Sequence, residues 1–182
     1  MAVEAARDTL VGIDRAQVKS VALASTTLPF ADRLNSGIVK EALTLSDTVA
    51  AMDVTGSQRS ATSLLLQALR ATDGAPQLCL ASEMRKAAPA SEGELAYGDS
   101  AAGLLVGAGE PVARFLGAHT VTLDFVDHYR AEGMEFDYAW ETRWIRDEGY
   151  TGMIGGALKG AFKTLKIEPA ALDRVIVPLT AR

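Results

Sequence analysis

A single cysteine, Cys79, excludes a disulfide framework within this 182-residue chain. It fits a reducing compartment, and a cytoplasmic location is the expectation. Two histidines and that one cysteine leave little ligand material for zinc, so no metal is expected. No basic stripe runs through the sequence, and the net charge of −5 is made of both signs scattered along it. Nucleic acid is therefore not the expected partner. No apolar run reaches the length of a bilayer span, so no membrane association is expected. The N-terminal MAVEAARDTL is an amphipathic helical pattern with acids, unlike a secretory signal. No low-complexity tract and no short-period repeat occurs.

What the chain does have is apolar material. A hydrophobic fraction of 48% is enough for a real core. Residues 2–11 have helical periodicity. VKSVALAS (18–25) reads as a short buried strand, TTLPFADRLNSG as a loop entering a helix that continues to Leu43, and 47–54 as a returning strand. Ser60 to Ala71 is helical, with Thr72-Asp73-Gly74 as a glycine stop signal. PQLCLAS is another apolar strand, MRKAAPASEGELAY a polar loop, and GDSAAGLLVG a small-residue turn plus strand. ARFLGAHTVTLDF reads as a further strand, 127–142 as a polar and aromatic surface excursion, 150–165 as a helix and VIVPL as a last strand. This alternation predicts an α/β layered fold with a mixed sheet.

The segment Met52–Arg70, MDVTGSQRSATSLLLQALR, is the most informative one. It predicts a strand that passes through a Gly-Ser turn straight into a buried helix. A helix N-terminus offers N–H groups and a positive dipole end, which stabilise a thiolate or an oxyanion. Ser57 and Ser60 flank the turn. With no His-and-acid partner near them in sequence, they read as helix-start residues rather than nucleophiles. Arg59 could reach a phosphate or carboxylate of a ligand, although a solvated or interface-paired arginine is the commoner case. Gly98-Asp99-Ser100 reads as a structural turn in which the aspartate accepts backbone N–H bonds. Cys79, inside an apolar strand, reads as an inert small hydrophobe. Asp127-His128 suggests a dyad on paper, and His119 lies nearby, but a surface histidine beside an acid is common. The stretch 136–150 gathers Phe136, Tyr138, Trp140, Arg143, Trp144, Arg146 and Tyr150, a composition that suits a protein–protein interface or a lid.

The order of these pieces resembles the thiolase-like condensing enzymes, nearest to 3-hydroxy-3-methylglutaryl-CoA synthases and 3-oxoacyl-carrier-protein synthase III. LASTTLPFADRLNSGIVKEAL is similar to that family's "ATTxPY" loop and helix. MDVTGSQRSATSLL is similar to its nucleophile turn, and ASEMRKAAPASEGELAYGDSAAGLLVG to its strand, loop and "GDGAAAxLLG" segment. DFVDHYR and GYTGMIGGAL resemble its insertion and the helix after it. The resemblance implies a thiolase-like layered fold with a mixed β-sheet, comprising the N-terminal half and the start of the second half. Residues 1–149 would form the first half, with an insertion at about 120–149, and 150–182 would begin the second.

Carried over residue by residue, the resemblance places the cysteine nucleophile at Gln58. The general acid/base glutamate falls near Thr27, and the first active-site histidine at Leu179. Claisen condensation needs a thiolate to hold the acyl group and a base or donor pair to manage the carbanion. The implied function is a subunit of an acyl-CoA or acyltransferase complex that lacks its own nucleophile. It would act as a homodimer, or as a hetero-oligomer with a thiolase-like chain and a zinc-ribbon/OB-fold protein. The alternative is a cysteine-less acyl-thioester enzyme, a decarboxylase or retro-aldol/retro-Claisen catalyst, in which Gln58 stabilises an oxyanion. Thr27, Ser57 and Arg59 are the expected substrate-binding residues. No cofactor is expected, and acyl-CoA is the ligand the resemblance implies.

Overall fold

The computed structural model describes residues 1–71 and 73–177. The chain packs as two compact units. One is Met1–Arg85 with Gly98–Arg114, and the other is Lys86–Tyr97 with Phe115–Arg182.

The first unit is a three-layer α/β sandwich. Its sheet has four strands: β1 (Ser20–Ala24), β2 (Ala50–Val54), β3 (Gln77–Glu83) and β4 (Ser100–Val106), in the order β2-β1-β3-β4. β1 is parallel to both β2 and β3, whereas β4 runs antiparallel to β3, so the sheet is mixed as predicted. Alternation along the strands decides the layers. Val21 and Leu23 of β1, with Leu78 and Leu80 of β3, point to the face covered by helices α1 (Ala2–Thr9) and α2 (Asn35–Ala42). Ala22, Ala24 and Cys79 point to the other face, which is covered by Leu64 and Ala68 of helix α3 (Ser60–Arg70). One face is thus built from branched aliphatics and the other from small residues.

Helix α1 lies across β3 and β4 because position 103 has no side chain. A Cβ at Gly103 would stand 2.3 Å from Thr9 Oγ1, 3.0 Å from a Leu80 methyl and 3.1 Å from the Ala5 carbonyl. Helix α2 is held at its start by a distant carboxylate. Asp53 accepts the N–H groups of Asn35 at 2.8 Å and Ser36 at 2.7 Å, which satisfies two donors that a helix start leaves open. Burial pushes the Asp53 carboxyl up, but hydrogen bonds from Ser36 and Asn35 outweigh it and keep it below its ordinary value.

The second unit holds a short helix α4 (Glu92–Ala96), a two-residue ribbon of β5 (His128–Tyr129) with β6 (Tyr138–Ala139), and one long helical run. That run comprises α5 (Thr142–Trp144), a π-helical turn Ile145–Tyr150, and α6 (Thr151–Leu165), and ends at Lys166 in a left-handed conformation.

Four expectations are corrected. The segment 113–125 forms no strand. Within it His119 and Phe125 fill gaps left by glycines of the long helical run: Cβ atoms at Gly160 and Gly149 would collide with their rings. The polar loop 84–97 contains α4. Residues 175–177 are not in a strand, and the remainder of VIVPL lies outside the described residues. Helix α3 is not closed by glycine. Ala71 caps it in an extended conformation, and Gly74 instead supplies a left-handed turn whose carbonyl accepts the Ala108 N–H at 3.0 Å. Among the described residues no helix is long and apolar enough to cross a membrane.

Candidate functional site

Three parallel strands end side by side, and their C-terminal ends deliver three short segments to one edge of the sheet: Ser25 to Thr27, Thr55 to Arg59, and Glu83 to Arg85. The edge at the carboxyl ends of parallel strands is where open α/β sheets place their sites.

The middle segment is the predicted strand–turn–helix. Gly56 takes φ +82°, a left-handed conformation that a side chain would strain, and the chain turns into α3 at Ser60. Ser57 Oγ accepts the Arg59 N–H at 3.1 Å, and the buried Ser60 hydroxyl donates back to the Ser57 carbonyl. Both serines are therefore engaged in shaping the turn. Ser57, Gln58 and Arg59 are exposed at its crest.

Thr27 sits in a fully used network. Its hydroxyl donates to Glu83 Oε2 at 3.0 Å and accepts the Met84 N–H at 3.0 Å, while its own N–H donates to Ser25 Oγ at 2.9 Å. Its neighbour Thr26 gives its N–H to Glu83 Oε1 at 2.6 Å and its hydroxyl to Oε2 at 3.1 Å. Arg85 donates to that same hydroxyl at 3.0 Å. The geometry makes Thr27 part of a clamp around the Glu83 carboxylate. Sequence reasoning missed Glu83. Its one signal was a lone carboxylate at the end of the apolar run LCLAS, where only a hydrogen-bonding partner makes such a group affordable.

Cys79 is 6% exposed on the α3 face, and burial pushes its thiol up to about 11. At neutral pH such a group is a thiol, not a thiolate. Asp99 stands exposed immediately before β4 rather than organising a turn.

In the second unit, Asp127 and His128 do meet. Asp127 Oδ1 accepts the His128 N–H at 2.7 Å and lies 3.1 Å from Nδ1, while Tyr150 donates its hydroxyl to Oδ2 at 2.6 Å. Burial raises the Asp127 carboxyl, but the hydrogen bonds from His128 and Tyr150 dominate and hold it far below the usual carboxylate range. The π-helical turn that ends at Tyr150 lies directly before α6. His119 is apart from this group and meets Thr164, 3.2 Å from its Nδ1. Leu179 lies outside the described residues. Among the described residues no three His, Cys, Asp or Glu side chains are grouped to hold a metal.

Neither the protein-family models nor the curated proteins gave a match to this sequence. Solved structures did. An HMG-CoA synthase complexed with CoA superposes with a TM-score of 0.75 at 20% identity, covering 93% of this chain and 45% of that one. OleA of Xanthomonas campestris, a variant with bound lauric acid and lauroyl-CoA, gives 0.76 at 18% identity, covering 95% of this chain and 58% of that one. A 3-oxoacyl-(acyl-carrier-protein) synthase III gives 0.72 at 16% identity, covering 94% and 60% respectively. The chain has the fold of the thiolase-like condensing enzymes, and it spans about half the length of the structures it matches.

Proposed function

We propose that this chain is a thiolase-fold subunit of an acyl-CoA or acyltransferase assembly and does not itself hold the acyl group covalently. The observation that carries this reading is the turn into α3. There the resemblance calls for a thiolate, the residue is Gln58, and its carboxamide has no nucleophilic atom for an acyl thioester. The single thiol of the chain supports the same reading. Cys79 is buried under α3, with its pKa raised to about 11. Thr27, near the position of the family's acid/base glutamate, spends its hydroxyl on Glu83 and the Met84 N–H. The fold supplies the scaffold of a condensing enzyme, and the reacting groups come from an associated thiolase-like chain that keeps its cysteine and histidines. A zinc-ribbon/OB-fold protein completes the assembly.

The test is native mass spectrometry of the assembly isolated from its source through a tag on this chain, followed by turnover assays with and without the partners. Co-purification of an intact thiolase-like chain, with turnover only in its presence, is the expected result. Turnover of malonyl- or 3-oxoacyl-CoA by the purified chain alone, lost in Gln58→Ala, would overturn it in favour of a cysteine-less decarboxylase or cleavage enzyme.

A further inference from the structure

The second unit contains a cavity of about 370 Å³ whose wall combines two aromatic rings with an excess of carboxylate. The rings are Tyr97 and Trp140, and the charged groups are Lys86, Glu92, Asp137 and Glu141. The volume falls in the range of small-molecule sites.

Charge decides what such a cavity takes. Among the described residues Lys86 is the sole cation on the wall, and Glu135 neutralises it at 2.7 Å. Asp137 is balanced by Arg130 at 3.3 Å and also accepts the Tyr97 hydroxyl at 3.3 Å. Glu141 accepts the N–H groups of Arg143 and Trp144; these bonds hold its carboxyl below its ordinary value, so it stays ionised. Glu92 accepts the Thr142 hydroxyl at 3.3 Å. Arg143 and Arg146 also act on Glu141, so Glu92 is the wall carboxylate that leaves the charge net negative. An acyl chain or an anion would have to sit against it uncompensated.

The aromatic element is held in place. Trp140 is 49% exposed, with Trp144 tilted against it at 5.4 Å and Tyr138 edge-on at 6.1 Å. Its backbone N–H is tied to the Asp127 carbonyl at 2.9 Å. A fixed indole face beside carboxylates attracts an organic cation through the ring quadrupole and the ionic field together.

The geometry points to a binding site for a small organic ammonium ion in this cavity, with Trp140 and Tyr97 as aromatic walls and Glu92 as counter-charge. This site is independent of the acyl chemistry assigned above.

The test is calorimetric titration of the full chain with choline and, in parallel, with its neutral isostere 3,3-dimethylbutan-1-ol. Saturable choline binding is expected, with the isostere at least about ten-fold weaker. Trp140→Leu should abolish choline binding, and Glu92→Gln should weaken it roughly five-fold and reduce its sensitivity to salt. Equal binding of the isostere would overturn the site, as would choline binding unchanged in both variants or no saturable binding at all. If Trp140→Leu proves misfolded by circular dichroism, Glu92→Gln decides alone, because Glu92 is exposed and its replacement leaves the fold's packing untouched.

Discussion

Glu83, the last residue of β3, takes the backbone N–H of Thr26 onto Oε1 at 2.6 Å and the Thr27 hydroxyl onto Oε2 at 3.0 Å. One carboxylate thereby fixes the loop after β1 to the end of β3, across 57 residues of sequence.

Removing that carboxylate leaves a part-buried N–H and two hydroxyls without their acceptor. Glu83→Ala should cost about 2–4 kcal/mol of stability, since each abandoned buried donor carries a desolvation penalty. Glu83→Gln keeps one carbonyl acceptor and should cost about half as much. Urea unfolding of the two variants beside the wild type checks both values; equal stability of all three would remove the clamp.

Gln58→Cys should create the one reactive thiol of the native protein. The wild-type Cys79 is buried and titrates at about 11, so a disulfide reagent at neutral pH should find almost no thiol until urea is added. The variant places its sulfur on the exposed crest before α3, at the positive end of the helix. Rapid labelling of one thiol per chain is expected. Labelling as slow as in the wild type would mean that the turn does not present residue 58 to solvent.

Gly103→Ala should separate α1 from the sheet. The added methyl meets the Thr9 hydroxyl, a Leu80 methyl and the Ala5 carbonyl within about 3 Å, and the carbonyl belongs to the helix backbone. Overpacking of this kind costs about 1–3 kcal/mol. A variant as stable as the wild type in thermal unfolding would show that α1 yields without loss.

Acid should destabilise the second unit through Asp127. Its carboxyl is held below its unfolded value by Tyr150 and His128, so it contributes stability above the ordinary carboxylate range. That contribution is lost as the pH falls from about 5 towards 3 and below. Both tryptophans, Trp140 and Trp144, lie in this unit and report on it. Tyr150→Phe should cost about 1–2 kcal/mol at pH 7, and its fluorescence-monitored unfolding should vary less with acid than the wild type's. An identical acid profile would sever Tyr150 from the carboxylate.

The sequence made the first unit readable because its signals are local. SVALA alternates large and small apolar residues, and the run from Met52 to Arg70 carries strand, glycine turn and amphipathic helix within a few residues of each other. Glu83 was not readable, because its meaning depends on Thr26 and Thr27 arriving beside it through a parallel pairing. The segment 113–125 misled for a related reason. Its alternating Val121, Leu123 and Phe125 signal one buried face, but Val121 and Leu123 are exposed and only Phe125 is part-buried, against Gly149. The glycines that receive its rings, Gly149 and Gly160, belong to another element and look like helix defects in isolation. Asp127 and His128 were legible as neighbours, but Tyr150 was not legible as the third member, because a π-helical turn brings it round.

The small residues under α3 act as a spacer of fixed thickness. Ala22, Ala24 and Cys79 leave only a thin layer between the sheet and Leu64 and Ala68, so the height of the helix above the strands is set by side-chain volume. Because α3 continues directly from the turn at residues 55–59, raising it by a methyl group or two would tip that turn outward. Ala-to-Val changes on β1, far from solvent and without chemistry of their own, would thereby shift what the crest at Gln58 presents.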